Sequence, residues 1–263
     1  MDLFNFDPNM FLGFLLTFIR ISIVLFMLPI FSVDGLPTQW KAAICMILTL
    51  VLYPKLGLPG TLMPTHPFGI ALILVGEVFM GLVLGLAVNF FFAGIQSGGE
   101  ILAMQMGFSM ITLADPLSGN NTGLIAHFLY MVATLIFLAL DGHLYLIKAF
   151  SYSFHVVPPG GLMIREVLLT QVVELSSMVF VFGVRIAAPV MAALFLTEVA
   201  LGLMTRAAPQ IQIMEVGFPL KICVGFFFVG LLFVIISEET RRFIIGLDGM
   251  FLNLLRSMGP ATQ

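Results

Sequence analysis

The chain has 263 residues, 60% of them hydrophobic and only 10% charged, with a net charge of -3 and a mean hydropathy of +1.12. An ordinary soluble domain is about 45–50% apolar and about 25% charged, so there is too little polar surface here to coat a globule. The acidic balance excludes an electrostatic footprint for nucleic acid, whose binding proteins carry basic stripes or patches; Arg241, Arg242 and Arg256 follow Glu238 and Glu239 as an ordinary solvated helix end.

Asp7-Pro8-Asn9 predicts a helix start, because Asp can cap and Pro suits the first turn. The apolar run over residues 10–31 contains Arg20 as its only charge. It is long enough for a membrane-spanning helix, which needs roughly 20 residues. Asp2 and Asp7 stand where a secretory signal would carry Lys or Arg, so this first helix is expected to be retained. A turn at Asp34-Gly35-Leu36-Pro37 leads to a second apolar segment over residues 40–52, short for a span. Trp40 and Tyr53 bound it as interfacial aromatics, and Lys41 and Lys55 can snorkel. Prolines and glycines between residues 54 and 67 mark a loop. Residues 68–95 predict a third helix, with Glu77, Gly81 and Gly85 at four-residue steps on one face. Small residues at that spacing let another backbone approach closely, so a packing groove is the favoured reading over a proton-binding Glu77.

From residue 96 the character changes. Gln96, Ser97, Gly98, Gly99, Glu100 and Gln105 interrupt the apolar run, and Met104, Met106, Phe108 and Met110 follow among small residues. Asp115-Pro116 and Ser118-Gly119-Asn120-Asn121 predict an irregular loop. Lipid cannot satisfy bare backbone groups, so this segment belongs in protein, at an aqueous cavity or outside the membrane. Residues 124–140 predict a fourth helix, and 141–155 a mixed interfacial segment with Tyr145, Lys148, Tyr152 and His155, ended by Pro158-Pro159-Gly160-Gly161. Residues 167–204 are too many for one crossing and are expected to bend sharply or split. Pro189 is the obvious break, since it removes a donor and clashes with the preceding turn. Glu174, Arg185 and Glu198 punctuate this stretch; the first two lie about 16 Å apart along a helix axis and cannot pair. Residues 218–236, with Pro219 and Lys221, form a last apolar segment. An amphipathic helix over 240–257 then repeats Phe243, Ile244, Leu247, Phe251, Leu254 and Leu255 at helical spacing.

Nothing points to catalysis. His66, His127, His143 and His155 lack the paired spacing of a zinc site. Gly107-Phe108-Ser109-Met110 lacks the second glycine of a nucleophile elbow, and Gly98-Gly99 is followed by Glu100 instead of a phosphate loop's Lys. Cys45 and Cys223 read as small buried hydrophobes. No enzyme, metal or cofactor is expected.

Three stretches carry a resemblance. The first is Gly76-Glu77 with Gly81 and Gly85, running into Gly94, Gln96 and Gly98. The second contains Gln105-Met106-Gly107-Phe108 and closes on Asp115-Pro116. The third is Leu201-Gly202-Leu203-Met204-Thr205-Arg206-Ala207-Ala208-Pro209-Gln210-Ile211, continuing through Gly217-Phe218-Pro219-Leu220-Lys221. Together they resemble the FliR family of flagellar biosynthetic proteins and its injectisome relatives, the FliR/SctT-type export gate subunits of type III secretion. The similarity extends from Arg20 and Pro29 to Arg242, and the Gly217-Phe218-Pro219 form is closer to the flagellar branch.

The resemblance implies an all-α integral membrane protein of tilted helical hairpins, resembling a fusion of a FliP-like part (about 1–180) and a FliQ-like part (about 181–263). It implies a single export gate subunit among several copies of FliP and FliQ, in the flagellar basal body at the bacterial cytoplasmic membrane. FlhB and FlhA would lie nearby, and unfolded export substrates would pass through. Gln105, Met106, Phe108, Met110 and Ile111 would plug the pore. Arg20, Glu77, Gly81, Gly85, Arg185, Glu198, Pro209, Gln210, Phe218, Pro219 and Lys221 would meet neighbouring subunits, because desolvated charges persist only when paired. The alternative is an ion-coupled secondary transporter for a small solute, with discontinuous helices around midmembrane charges. That class usually shows two similar halves, and the Glu-Val-x-x-Gly-Leu form shared by residues 77–82 and 198–203 is a poor substitute.

Overall fold

The computed structural model describes residues 8–32, 37–56, 64, 66–108, 123–163, 165–207 and 213–259, and every regular element among them is helical. In chain order these are α1 (Pro8–Met27), α2 (Pro29–Ser32), α3 (Thr38–Leu56), α4 (Pro67–Met106), α5 (Leu124–Ala139), α6 (Gly142–Val156), α7 (Glu166–Ala207) and α8 (Ile213–Met258). The protein is an all-α, multi-pass membrane protein. Helices α1, α4, α7 and the Val216–Met258 part of α8 are each long and apolar enough to cross a bilayer, and α5 with α6 make a fifth crossing if the two act as one span.

Several expected boundaries move, each for a local reason. The first helix stops at Met27, short of residue 31, because Leu28 precedes Pro29 and a residue before proline is pushed out of the helical region. Helix α4 does not dissolve at residue 96 but continues for 40 residues to Met106. Its Gly98 and Gly99 are close-packing positions and not chain breaks: a Cβ on Gly98 would come within 2.9 Å of the Gly183 carbonyl, and one on Gly99 within 2.5 Å of Ala126 Cα. The expected break at Pro189 is absent, and α7 runs 42 residues through it. Ile186, Ala187 and Val190 around that proline are fully buried, and such packing holds the turns together across the missing hydrogen bond. The last two predicted segments are one helix of 46 residues. At their junction Glu238 pairs with Arg241 and Arg242, both at 3.0 Å, in the three- and four-residue spacing that supports a helix. At 1.5 Å per residue α4, α7 and α8 measure about 60–70 Å along the chain, roughly twice the ~30 Å hydrocarbon thickness.

The chain forms two compact units. One comprises Met1–Asn89, Asp141–Leu175 and Ile244–Gln263; the other comprises Phe90–Leu140 and Ser176–Phe243. In the first, α1 packs on α3 through an edge-to-face contact of Phe14 and Tyr53 at 5.6 Å, and the Tyr53 hydroxyl donates to the Met10 carbonyl at 2.9 Å. Leu16, Ile21, Met80, Leu84, Phe154 and Phe251 fill its core. In the second, Phe91 stacks on Phe243 at 4.0 Å and meets Phe182 edge-on, while Phe92 meets Phe137 edge-on. Cys45 is buried as expected, but Cys223 lies exposed on α8.

The closeness of α4 and α5 makes a prediction. Gly99→Ala is expected to cost about 1–3 kcal/mol, as overpacking does when backbone must retreat. Gly246→Ala, at a position with nothing within 4 Å, is expected to be neutral or to stabilise by up to about 1 kcal/mol. Thermal unfolding in mild detergent separates the two outcomes.

Candidate functional site

The most completely satisfied polar centre lies inside the first unit, where α1 brings Arg20 and α4 brings Glu77. Both residues are 1% exposed. Arg20 Nε donates to Glu77 Oε2 at 2.5 Å and Nη2 donates to Oε1 at 3.0 Å, the two-pronged geometry that makes Arg–carboxylate pairs strong and directional. The remaining nitrogen, Nη1, donates to the Val157 carbonyl at 3.0 Å and reaches Ser153 Oγ at 3.5 Å. The guanidinium also lies over the Phe154 ring, 4.3 Å from its centroid.

The turn after α6 completes the cage. Pro158-Pro159-Gly160-Gly161 closes with the Gly161 N–H donating to the Pro158 carbonyl at 2.9 Å, and Gly160 has φ +81°. Proline second and glycine third is the pattern of a type II turn, whose third residue needs positive φ. The Gly160 N–H then donates to Glu77 Oε1 at 3.0 Å. Three helices and a turn are therefore locked through one ion pair.

Arg20 and Glu77, expected at subunit contacts, each find a partner within the chain, and neither reaches its surface. The same holds for the small residues one and two turns beyond Glu77. A Cβ on Gly81 would meet Ile23 and the Arg20 carbonyl at 3.0–3.1 Å, and one on Gly85 would meet Met27 at 2.8 Å. Helix α1 fills that groove.

The other predicted charges lie in the second unit and also pair within the chain. Lys221 Nζ on α8 donates to Glu198 Oε1 on α7 at 2.5 Å, with both side chains partly exposed. Arg185 on α7 reaches Glu239 Oε2 on α8 at 3.2 Å. Glu239 is 7% exposed and had been grouped with Glu238 as part of a solvated helix end. A step of one residue turns about 100° around a helix, so Glu238 pairs with Arg241 and Arg242, while Glu239, also 3.7 Å from Arg242, reaches across to α7.

The end of α4 is built for a sharp stop. The Phe108 N–H donates to the Ala103 carbonyl at 2.9 Å, the Gly107 N–H donates to the Met104 carbonyl at 3.1 Å, and Gly107 has φ +88°. This is a glycine-closed helix terminus in which backward bonds satisfy the last carbonyls. Met106 is fully buried in the hollow that the missing side chain of Gly225 leaves on α8. Phe108 meets Phe226 edge-on at 6.2 Å. Phe218 lies beside Gly107, and Gln105 is half-buried. Pro219 is exposed within α8. Met110, Ile111, Pro209 and Gln210 lie outside the described residues.

Ser153, Phe154, Val157 and Gly160 were missed as partners of the buried pair. The Pro-Pro-Gly-Gly turn was legible, but that its N–H would aim at Glu77 depends on how α6 and α4 meet.

A family model described as bacterial export proteins, family 1, matches residues 11–245. The flagellar biosynthetic protein FliR of Escherichia coli (strain K12) is 33% identical over 207 residues, covering 79% of this chain and 78% of that protein. FliR of Bacillus subtilis (strain 168) is 30% identical over 258 residues, 92% of this chain and 98% of the relative. The surface presentation of antigens protein SpaR of Shigella sonnei is 27% identical over 180 residues, covering 68% and 69% respectively. With the matched stretch running from α1 into α8, and with relatives aligned over most of their length, the chain belongs to the bacterial export proteins, family 1, the family of the FliR proteins.

Proposed function

We propose that this protein is the FliR-type subunit of a flagellar export gate, forming with FliP and FliQ the channel through which unfolded flagellar proteins cross the bacterial cytoplasmic membrane. Membership of a flagellar or type III export apparatus follows from the family. The gate architecture, its place in the basal body, and contacts with FlhB and FlhA are the proposal, as is a division into a FliP-like part near residues 1–180 and a FliQ-like part near 181–263. One observation carries it: the apolar spans of α7 and α8 are only 28% and 22% buried within the chain. Their helices are about twice as long as a bilayer core needs. On α7 exposed large apolar side chains run from Val167 to Met204, farther along the helix than the hydrocarbon reaches, and the excess calls for protein partners. Within such a gate, residues 105–121 would act as the plug.

No observation favours the solute-transporter alternative. The buried Arg20–Glu77 pair is saturated by donors and acceptors of its own chain, which suits a structural lock more than a proton carrier.

Co-expression with FliP and FliQ, purification in mild detergent and native mass measurement test the reading. One copy of this chain is expected with several copies of each partner; a self-sufficient monomer that carries metabolites in vesicles overturns it. Lys221→Glu sets two carboxylates together on the α7–α8 face and is expected to lower recovered complex severalfold. The exchange Glu198→Lys/Lys221→Glu is expected to restore most of it. If the exchange is no better than the single change, Lys221 answers to another subunit and not to Glu198.

A further inference from the structure

A cleft of about 570 Å³ opens in the first unit between α3, α6 and α8, within the ~300–1,000 Å³ usual for small-molecule sites. Its floor is apolar, from Leu52 on α3, Ile147 on α6, and Phe251 and Leu252 on α8. Its rim is not. Lys148, Tyr152 and His155 line it from α6, at a four- then three-residue spacing that sets them along one helix face. Asp248 lines it from α8. Among the described residues no side-chain hydrogen bond or ion pair engages any of these four, and Lys148 and Asp248 do not close on one another. The mouth thus presents a free cation, an imidazole, a phenol and a free carboxylate above a greasy floor. Lysine beside exposed tyrosine is also the make-up of a membrane interface.

A purely anionic ligand would satisfy Lys148 and leave Asp248 opposed. A purely apolar one would bury both charges without partners, which is costly. A ligand with a phosphate, a nearby ammonium and a hydrocarbon tail satisfies every group. We propose that this cleft seats a phospholipid with a primary-amine headgroup. Its phosphate lies toward Lys148, Tyr152 and His155, its ammonium toward Asp248, and one acyl chain over Leu52, Ile147, Phe251 and Leu252. The proposal needs only that the chain resides in a membrane and is independent of which export apparatus it serves.

The test is native mass spectrometry of the detergent-purified protein, with whatever partners accompany it. Phosphatidylethanolamine, phosphatidylglycerol or phosphatidylcholine of matched chains is added, and thermal unfolding monitors the fold of each variant. Phosphatidylethanolamine is expected to be retained at about tenfold lower concentration than the other two, a difference of about 1.4 kcal/mol. Asp248→Asn is expected to erase its advantage over phosphatidylglycerol. Lys148→Gln should weaken both, and Leu252→Trp should displace the chain and abolish retention without loss of fold. Equal retention of the three lipids, or a preference unchanged by Asp248→Asn, overturns the proposal. So does displacement by chain-free glycerophosphoethanolamine at the same concentration, which would mark a polar headgroup site. Absence of any retained lipid in the assembled complex would show that a protein segment covers the cleft instead, and would likewise overturn it.

Discussion

Glu77→Leu and Arg20→Met are each expected to destabilise the folded chain by about 3–5 kcal/mol, the usual cost of leaving one member of a buried ion pair without its partner. Glu77 holds Arg20 by two bonds and receives the Gly160 N–H, so its loss strands a cation and a backbone donor together. Arg20→Met strands the carboxylate and the Val157 carbonyl. The double variant should be milder than either single change, because an apolar pair leaves no buried charge. It should still fall short of the wild type, since the Val157 carbonyl and Gly160 N–H each lose a partner worth about 1–3 kcal/mol when buried. Thermal unfolding of all four proteins in the same detergent, read as a double-mutant cycle, measures the coupling. Single changes within about 1 kcal/mol of wild type, well below the expected penalty, would show that the pair does not form. Glu77→Gln separates the remaining possibility: intact assembly with lost export would point to a proton carrier, and loss of both to a lock.

Deletion of residues 107–116 is expected to make resting membranes leak ions. Hydrophobic constrictions gate by excluding water, and methionine can both seal and deform around a passing chain. Met106 in the Gly225 hollow and Phe108 against Phe226 anchor the start of this segment to α8, while the glycine-closed end of α4 fixes where it departs. Each 1.4 kcal/mol of lost barrier admits about tenfold more flux, so even a partial loss of the seal is measurable as dissipation of membrane potential in cells with export idle. Tight membranes with continued secretion would remove the plug from the proposal. The deletion keeps Met106 but removes the Phe108–Phe226 contact, so Phe108→Ala in the full-length chain is the control: tight membranes there and a leak in the deletion assign the seal to the missing segment and not to a loosened helix pair.

Membrane residence, all-helical build and family were legible in the linear chain because each is a property of local runs: apolar stretches of spanning length, turn signals, and a motif-dense segment from Leu201 to Lys221. Helix ends were less so. The polar residues at 96–100 read as a break, yet two of them are glycines where other backbones cross. Pro189 reads as a break, yet buried neighbours hold the turns on either side of it.

Charge partners were the least legible. Arg20 and Glu77 stand 57 residues apart, and no periodicity links them. Whether a lone charge in an apolar helix meets its own chain, a neighbour or water depends on which faces the helices turn to one another, and many weak packing contacts settle that together. Composition and pattern thus established that this chain resides in a membrane, and its resemblance to the FliR family placed it among export proteins. Three-dimensional packing assigned Glu77 to Arg20, Glu198 to Lys221 and Glu239 to Arg185, because a charge is satisfied by geometry and sequence spacing carries geometry only within one helix.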